Sequence, residues 1–291
     1  MTQPATQSPD DDEPTSDGTR PPMPHEVEDH NLPRESKLDE SLDRIVEEGR
    51  PRLYRRWPEL LTTAFIAGME VALGVLALLW VENETGSAGL AGLAFSFGFI
   101  ALLLGHSELF TEGFLVPVTV VAAGEARTRH LIRFWFGTMV GNLAGGWVGA
   151  WLTMTALPEL HATARQAGTH YVNAGIDGRT LALAVLAGSA ITLMTRMQNG
   201  TDDVMAKLIA SIGAAFLLAG VGLFHSILDS LIAFNGLLAG HAPYSYLDWL
   251  GWFGWAVLGN VIGGVGLTTL LRLIRSRRQL SELRAKPPEV N

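Results

Sequence analysis

The sequence predicts an all-α integral membrane protein with six transmembrane helices, arranged as two inverted repeats of three helices each. Three observations predict this fold. Residues 57–275 contain six apolar segments of membrane-spanning length. The second and fifth segments are too long for one helix and carry polar residues near their middle, so we expect both helices to be broken. Finally, three short motifs recur in the same order at nearly constant separation.

The composition is uneven along the 291 residues. Residues 1–50 carry 14 acidic and 5 basic side chains, a local charge of −9 against −8 for the whole chain. The rest is therefore nearly neutral, and the acidity does not predict a basic partner such as a histone or a nucleic-acid-binding surface. The chain has no cysteine, which excludes disulfides and thiol chemistry. The first apolar run begins near residue 58, behind the acidic tail, so no cleavable signal peptide is expected.

The N-terminal region divides into two parts. Residues 1–35 are rich in Pro, Asp, Glu, Ser and Thr, and we expect a disordered acidic tail. Residues 36–56 predict a short cytoplasmic amphipathic helix and a linker, with the helix ending at Gly49-Arg-Pro51. Its apolar residues fall at helical spacing: Leu38, Leu42, Ile45 and Val46. Such a helix is typical of the membrane surface, and a solvated helix end is the alternative.

The transmembrane domain covers residues 57–275, followed by a C-terminal tail at 276–291. The predicted spans are 58–80, 87–124, 131–154, 179–197, 204–239 and 247–274. We expect the breaks at about 106–113 and 222–235. Arginines cluster before the first span, in the 125–130 loop and after the last span. The positive-inside rule therefore predicts that both termini and this loop lie in the cytoplasm.

An internal repeat relates about 57–155 to about 177–275. Its three matches are Ala67-Gly68 with Ala187-Gly188, His106-Ser107 with His225-Ser226, and Gly141-Asn142 with Gly259-Asn260. Each half has an odd number of spans, so the second half enters the membrane from the opposite side. In such folds the binding site lies near the bilayer midplane, where the broken helices meet. The glycines are expected mainly to let helices pack closely.

His225 at the second break is the strongest candidate for contact with a permeant species. Broken helices expose N–H groups that favour an anion. A neutral imidazole would offer a hydrogen-bond donor, and a protonated one would offer positive charge and a proton. The alternative is a buried structural histidine, although ionisable residues inside a membrane are costly and usually functional.

Five elements together resemble the formate/nitrite transporter family over about residues 36–275. They are Phe95-Ser-Phe-Gly98, Glu108-Leu-Phe-Thr111, Lys207, Gly222-Leu-Phe-His225-Ser226, and the Gly-Asn pairs at Asn142 and Asn260. The resemblance implies an aquaporin-like protomer with its own pore, assembled as a homopentamer in a prokaryotic inner membrane. It implies proton-linked conduction of small monovalent anions or their acids, such as formate, nitrite, hydrosulfide, acetate or lactate. The implied partners are this substrate, protons and lipid; no cofactor, metal or nucleic acid is implied, and no enzymatic activity.

The resemblance also implies roles for individual residues. His225 would be the central pore histidine, and Thr111 its hydrogen-bond neighbour on the facing loop. Phe95, Phe99 and Leu218 would form two apolar constrictions. Lys207 would draw anions into the vestibule or raise the acidity of His225. Asn142 and Asn260 would be structural.

Several positions depart from the family pattern. Asp229 stands where Asn is usual, His106 where a small residue is usual, and Glu112 where a small or amide residue is usual. Altered selectivity is expected from them, and a channel for a neutral or cationic small solute is the alternative function. His106 and Asp229 are predicted to form a buried pair. Glu108 is expected to accept backbone N–H bonds and hold its loop.

Three other classes fit less well. An aquaporin-type channel would carry Asn-Pro-Ala at both breaks, and neither break has it. A membrane enzyme would need clustered metal ligands, whereas the eight histidines are scattered and four fall in predicted loops: His130, His161, His170 and His241. A receptor or structural protein would use the acidic tail as its partner-binding part.

Overall fold

The structure is a computed structural model that describes residues 32–285, with side chains from residue 42 onward except those of 282 and 285. Of the described residues, those from Asp39 onward form one compact unit. Most of the predicted disordered tail, residues 1–31, lies outside the described residues, as do residues 286–291 of the C-terminal tail. Residues 32–35 were also predicted to be disordered, but they begin a helix.

The described residues are helical, with no strand among them, which confirms the predicted class. The α-helices are α1 Leu32–Tyr54, α2 Trp57–Thr85, α3 Ala88–Gly105, α4 Val116–Ala122, α5 Thr128–Ala156, α6 His161–Val172, α7 Gly178–Asn199, α8 Val204–Ala215, α9 Ser226–Leu238, α10 Tyr246–Val261, α11 Leu271–Arg275 and α12 Arg277–Ala285. Short 3₁₀-helices cover Phe110–Phe114 and Pro158–Leu160. Phe216–Gly220 extends α8 as a π-helix, and Ile262–Leu270 joins α10 to α11 in the same way.

Helix α1 is longer than predicted, because it continues through Gly49 and Pro51 to Tyr54. A Cβ on Gly49 would lie 2.6 Å from the side chains of Val116 and Val120, so this glycine permits close packing on α4 and does not end the helix. Pro51 removes one backbone hydrogen bond. Burial of the next turn, which includes the fully buried Leu53, offsets that loss.

The apolar face of α1 is covered by protein. Leu42, Ile45 and Leu53 are each at most 1% exposed. Their neighbours come from several other helices and loops: Ala123, Leu273, Leu280, Leu115, Val116, Leu60, Val120 and Phe134. The predicted contact of this face with the membrane surface is therefore wrong. Amphipathic spacing indicates only that one face is buried, and here the rest of the protein buries it.

Four helical stretches of the part described, residues 32–285, are long and apolar enough to cross a membrane: Trp57–Thr85, Ala88–Gly105, Gly178–Asn199 and Tyr246–Arg275. Helix α5, at the third predicted span, has 29 residues but is less hydrophobic. Shorter apolar helices occupy Phe110–Ala122, Val204–Gly220 and Ser226–Leu238. The two overlong segments of the sequence thus correspond to α3 with α4 and to α8 with α9.

Helix α3 ends at Gly105, and His106 caps it in the left-handed conformation with φ 52°. The chain then runs through non-helical residues to the 3₁₀-helix that begins at Phe110. The second interruption is shorter than the predicted 222–235. It covers Gly222, at φ 74°, to His225, because His225 caps a helix that starts at Ser226. We call these two stretches, residues 106–109 and 222–225, the first break and the second break.

One helix was missed in the sequence. Residues 155–178 were predicted to be a loop, but α6 lies within it and carries both His161 and His170. This helix packs against α9. Arg165 donates to the carbonyl oxygens of Ala239 and Gly240 just beyond the end of α9, at 3.3 Å each. The segment between the third and fourth predicted spans is therefore part of the fold around the second break.

Candidate functional site

The first break is held by the side chain of Asn142 on α5. Its Nδ2 donates to the carbonyl oxygens of Ala64 at 2.8 Å and Glu108 at 2.9 Å. Its Oδ1 accepts the backbone N–H of Phe110 at 2.8 Å. Asn142 is fully buried, so these bonds satisfy backbone groups that the helix interruption leaves unpaired. The amide fixes the break to helices α2 and α5.

Asn260 makes the same three bonds at the second break. Its Nδ2 donates to the carbonyl oxygens of Ala184 and Phe224, and its Oδ1 accepts the N–H of Ser226, all at 2.8 Å. This side chain is also fully buried. The polar scaffold of the breaks therefore occurs twice in the chain, as the expected structural role of both asparagines requires.

The duplicated bonds correct the alignment of the two breaks. They make Glu108 equivalent to Phe224 and Phe110 equivalent to Ser226, a separation of 116 residues. The His-Ser motifs lie 119 residues apart. Residue 109, not His106, is thus the counterpart of His225. Because the segments leading into the two breaks differ in length, the shared dipeptide does not mark equivalent positions.

Two glycines allow the scaffold to close. A Cβ on Gly68 would overlap the carbonyl oxygen of Asn142, and a Cβ on Gly188 would overlap that of Asn260. The backbones of α2 and α5, and of α7 and α10, approach too closely there for any side chain. Such contacts agree with the packing role predicted for the repeated glycines.

His225 and Thr111 bring the two breaks together. The His225 Nε2 lies 2.9 Å from the Thr111 Oγ1, and both residues are at most 1% exposed. The other ring nitrogen, Nδ1, accepts the N–H of Leu228 at 3.0 Å and so caps α9. An accepting Nδ1 carries no proton, so the neutral ring has its proton on Nε2 and donates it to Thr111. The hydroxyl proton of Thr111 remains available to donate to a third group.

Asp229 supports the same turn. It is fully buried, and its Oδ2 accepts the backbone N–H of His225 at 2.8 Å. His106 is exposed at the first break. The two make no ion pair within the part of the chain that the structure describes, so the predicted His106–Asp229 pair is not formed. His106 lies in the first break and Asp229 in the first turn of α9, and only Asp229 is taken out of solvent.

The three apolar residues predicted to form constrictions are buried. Phe95 and Phe99 lie one turn apart on α3, with ring centroids 5.0 Å apart in an edge-to-face arrangement. Leu218 lies in the π-helix between α8 and the second break. All three are at most 2% exposed and belong to the same apolar cluster as Phe224.

A cavity of about 360 Å³ opens beside the first break. We call it the basic cavity, because four cationic side chains line it: Arg44, Arg52, Arg55 and Lys207. Its wall also includes His106, Glu108 and Glu112. Among residues 32–285, no three His, Asp or Glu side chains are grouped to hold a metal ion. Lys207, for which the family resemblance predicts a place at a vestibule, lines this cavity.

Glu108 binds two arginines of the basic cavity. Arg52 contacts both carboxylate oxygens, with its Nε 2.8 Å from Oε1, and an Arg55 nitrogen lies 2.7 Å from Oε1. The Glu108 side chain is only 2% exposed. The expectation that this carboxylate accepts backbone N–H bonds is wrong, because Asn142 takes that role. Burial acts against the charged Arg52, yet Glu108 outweighs it and raises the pKa of Arg52 above its ordinary value.

A second cavity of about 630 Å³ lies at the other end of α3. We call it the second cavity. It is lined by the end of α2, the start of α3, helix α6 and the second break, including Glu82, Ala88, Ala91, His170, Tyr171 and Gly222. Leu102 and Leu103, near the other end of α3, line the basic cavity instead. With 18 residues, α3 is about 27 Å long, so the two cavities lie far apart along it.

Sequence reasoning missed several cavity residues. Arg52 and Arg55 were used only as markers of the cytoplasmic side; no local signal links them to Glu108, which lies more than 50 residues later in the chain. His170 and Tyr171 were missed because α6 was predicted to be a loop. Glu112 was noted only as a departure from a family pattern.

Comparison with known proteins identifies the family. The model of the formate/nitrite transporter family matches residues 39–274. The inner membrane protein YfdC of Escherichia coli is 27% identical over 89% of this chain and 84% of its own. The formate channel FocA of Haemophilus influenzae is 24% identical over 69% and 82%. A solved pentameric formate channel with formate bound superimposes with a TM-score of 0.63 at 19% identity, covering 76% of this chain and 98% of that one. This protein belongs to the formate/nitrite transporter family.

Proposed function

We propose that this protein conducts small monovalent anions, or their conjugate acids, across a membrane, with formate as the first substrate to test. One observation carries the proposal. Two cavities lie at opposite ends of α3, and the buried apolar side chains of Phe95 and Phe99 lie between them on that helix. The buried Thr111–His225 contact joins the segments that line the two cavities, because Glu112, next to Thr111, lines the basic cavity and Gly222, three residues before His225, lines the second cavity.

The order of residues along α3 supports a path between the cavities. Ala88 and Ala91 line the second cavity, Leu102 and Leu103 line the basic cavity, and Phe95 and Phe99 lie between them on the same helix. A buried apolar passage is a barrier to an ion and a smaller barrier to a neutral acid. The proposed permeant form in the narrow part is therefore the protonated acid, which agrees with proton-linked transport.

The positive charges that line the basic cavity favour binding of an anion there. Lys207 makes no ion pair in the described part of the chain, so its charge is free to attract a carboxylate or nitrite. The alternative of a cationic solute receives no support from this cavity. His106, which was expected to change selectivity, is one exposed residue of its wall.

His225 is proposed to act as a neutral hydrogen-bond donor through Thr111. The sequence left two roles open for this ring, donor or protonated cation. Protonation at Nδ1 would set two N–H donors against each other at the cap of α9, because Nδ1 already accepts from Leu228. Thr111 Oγ1 accepts the Nε2 proton of His225, and the hydroxyl proton of Thr111 is then the group offered to the permeant acid.

The proposal includes the arrangement in the membrane. The duplicated asparagine scaffolds support two inverted three-helix repeats with broken second and fifth helices. The family and the relatives named above support a homopentamer in a prokaryotic inner membrane. The arginine distribution supports both termini and the basic cavity on the cytoplasmic side.

Uptake into proteoliposomes tests the proposal. Purified protein is reconstituted with a pH-sensitive dye inside, and external formate, nitrite, acetate and lactate are added in turn. We expect rapid internal acidification with at least formate, faster at low external pH. The absence of flux for every one of these anions between about pH 5 and about pH 8 would overturn the proposal.

His225→Asn and His241→Asn form a matched pair for this assay. Asparagine is a good N-cap, so α9 should still start at Ser226, but its shorter side chain does not reach Thr111. We expect His225→Asn to lower formate flux by about tenfold, as the loss of one buried hydrogen bond suggests. His241 is exposed, with φ 55°, a conformation that asparagine tolerates, so His241→Asn should leave the flux unchanged.

A further inference from the structure

Proton exchange with the permeant acid needs a group that is free to take up and release a proton, and His225 is not such a group in this structure. Its Nδ1 is occupied by the N–H of Leu228, and its Nε2 proton is directed at Thr111. The exchange must therefore take place with another side chain or with water, before the acid reaches the apolar residues of α3.

The buried carboxyl group of Glu108 and the half-buried one of Glu112 differ in what they bind. Glu108 is held by Arg52 and Arg55 and is committed as a carboxylate. Glu112, four residues later, makes no ion pair or hydrogen bond within the described residues. It follows Thr111 directly in the chain, and it is only partly exposed, on the wall of the cavity.

Charged groups from several elements face Glu112. Arg52 on α1, Glu108 on the first break and Glu70 on α2 all act on it electrostatically. Across the basic cavity lie the other titratable groups: Arg44, Glu48, Arg55, His106 and Lys207. Arg52, the cation that acts on Glu112, is already bound by Glu108. Glu112 thus has no cation of its own and shares the basic cavity with Lys207.

We propose that Glu112 is the proton-transfer residue of the basic cavity, which protonates the weak-acid anion before it enters the pore. This inference rests on the proposed function. In the step, the O–H bond of the Glu112 carboxylic acid breaks, and its proton bonds to an oxygen of the formate-class anion. The neutral acid moves on past Thr111, and Glu112 is left as a carboxylate that takes a proton from cavity water. Flow in the other direction reverses each transfer.

Glu112→Gln and Glu112→Asp test the inference, with Glu48→Gln as the matched control. Glu48 lines the same cavity, and its change to Gln removes the same charge. The assay is formate-driven acidification of proteoliposomes across a range of external pH. We expect Glu112→Gln to lower the initial rate by about tenfold or more and to flatten its pH dependence. Glu112→Asp should keep most of the rate. Glu48→Gln makes the cavity more positive, so it should not lower the rate, and it should keep the pH dependence of the wild type.

The outcomes separate the two proposals. A wild-type protein without flux overturns the proposed function and this inference with it. An active wild type with an unchanged Glu112→Gln rate and pH profile overturns only the inference. Equal losses in Glu112→Gln and Glu48→Gln would indicate an effect of cavity charge, and equal losses in Glu112→Gln and Glu112→Asp would indicate a structural role; both results also overturn it. Gel filtration and circular dichroism of each variant show that the compared proteins are folded.

Discussion

Removing the Glu108 carboxylate should cost much more stability than removing a carboxylate from an exposed ion pair of the described residues. Its carboxylate is 2% exposed, and the Arg52 and Arg55 side chains are 21% and 31% exposed. Removing one partner of a buried ion pair typically costs 3–5 kcal/mol, because the other charge is left unpaired. The amide oxygen of Gln still accepts one hydrogen bond, so we expect Glu108→Gln to cost about 3 kcal/mol, the lower end of that range. The melting temperature in detergent should fall by roughly 6–12 °C.

Asp202→Asn is the control for this measurement. Asp202 pairs with Arg44 at 2.6 Å, but its side chain is 81% exposed. Exposed pairs contribute about 0–1 kcal/mol, so the control should melt within about 2 °C of the wild type. A Glu108→Gln protein that melts with the control would refute the reasoning, because it would mean that the buried carboxylate gains nothing from its two arginines.

Three further predictions concern packing, the site and pH. Gly68→Ala should lower stability by about 1–3 kcal/mol through overlap with the backbone of α5, whereas Gly213→Ala, with nothing within 4 Å, should change it by less than about 1 kcal/mol in thermal melts. Thr111→Val should leave the Nε2 proton of His225 unpaired, which should lower stability by about 1–3 kcal/mol and also lower formate flux. Thr111→Ser keeps the hydroxyl and should retain both stability and flux. The pKa of Asp177 is lowered by hydrogen bonds at the start of α7. The contribution of Asp177 to the free energy of unfolding is therefore complete above its ordinary pKa and is lost as the pH falls through the lowered pKa of the folded state. Asp177→Asn removes this dependence, so circular dichroism should show that the variant is less sensitive to acid.

The helical class and the interruptions followed from lengths and apolar composition. A run such as 87–124 exceeds what one helix needs to cross a bilayer, so a break was the physical solution. The structural role of the two asparagines could also be predicted, because an amide in the middle of an apolar helix requires hydrogen-bond partners. Polar residues within long apolar segments can therefore be predicted from the sequence to be buried and hydrogen-bonded.

Features that depend on which surfaces meet could not be predicted. The spacing of Leu42 and Ile45 showed that one face of α1 is apolar, but not that α4 and the C-terminal helices cover it. Helix α6 has only a mixed, weakly amphipathic sequence and is stabilised by its packing on α9. The partner of Glu108 was missed for the same reason, since Arg52 and Arg55 come from a segment more than 50 residues earlier.

The equivalence of the two breaks depends on chemistry and not on sequence identity. At each break the amide bonds one N–H, one carbonyl group of the break and one carbonyl group of a neighbouring helix, which requires one acceptor and two donor hydrogens on a short, uncharged side chain. Asparagine has that set, whereas aspartate has no donor and leucine has neither. The asparagine positions, Asn142 and Asn260, therefore mark corresponding places in the two halves, while the residues between the capping bonds are free to differ. That freedom is why His225 has Leu109 as its counterpart. The same scaffold presents an imidazole at one break and an aliphatic side chain at the other, and the Thr111 hydroxyl accepts the hydrogen bond that the His225 ring donates across the two breaks.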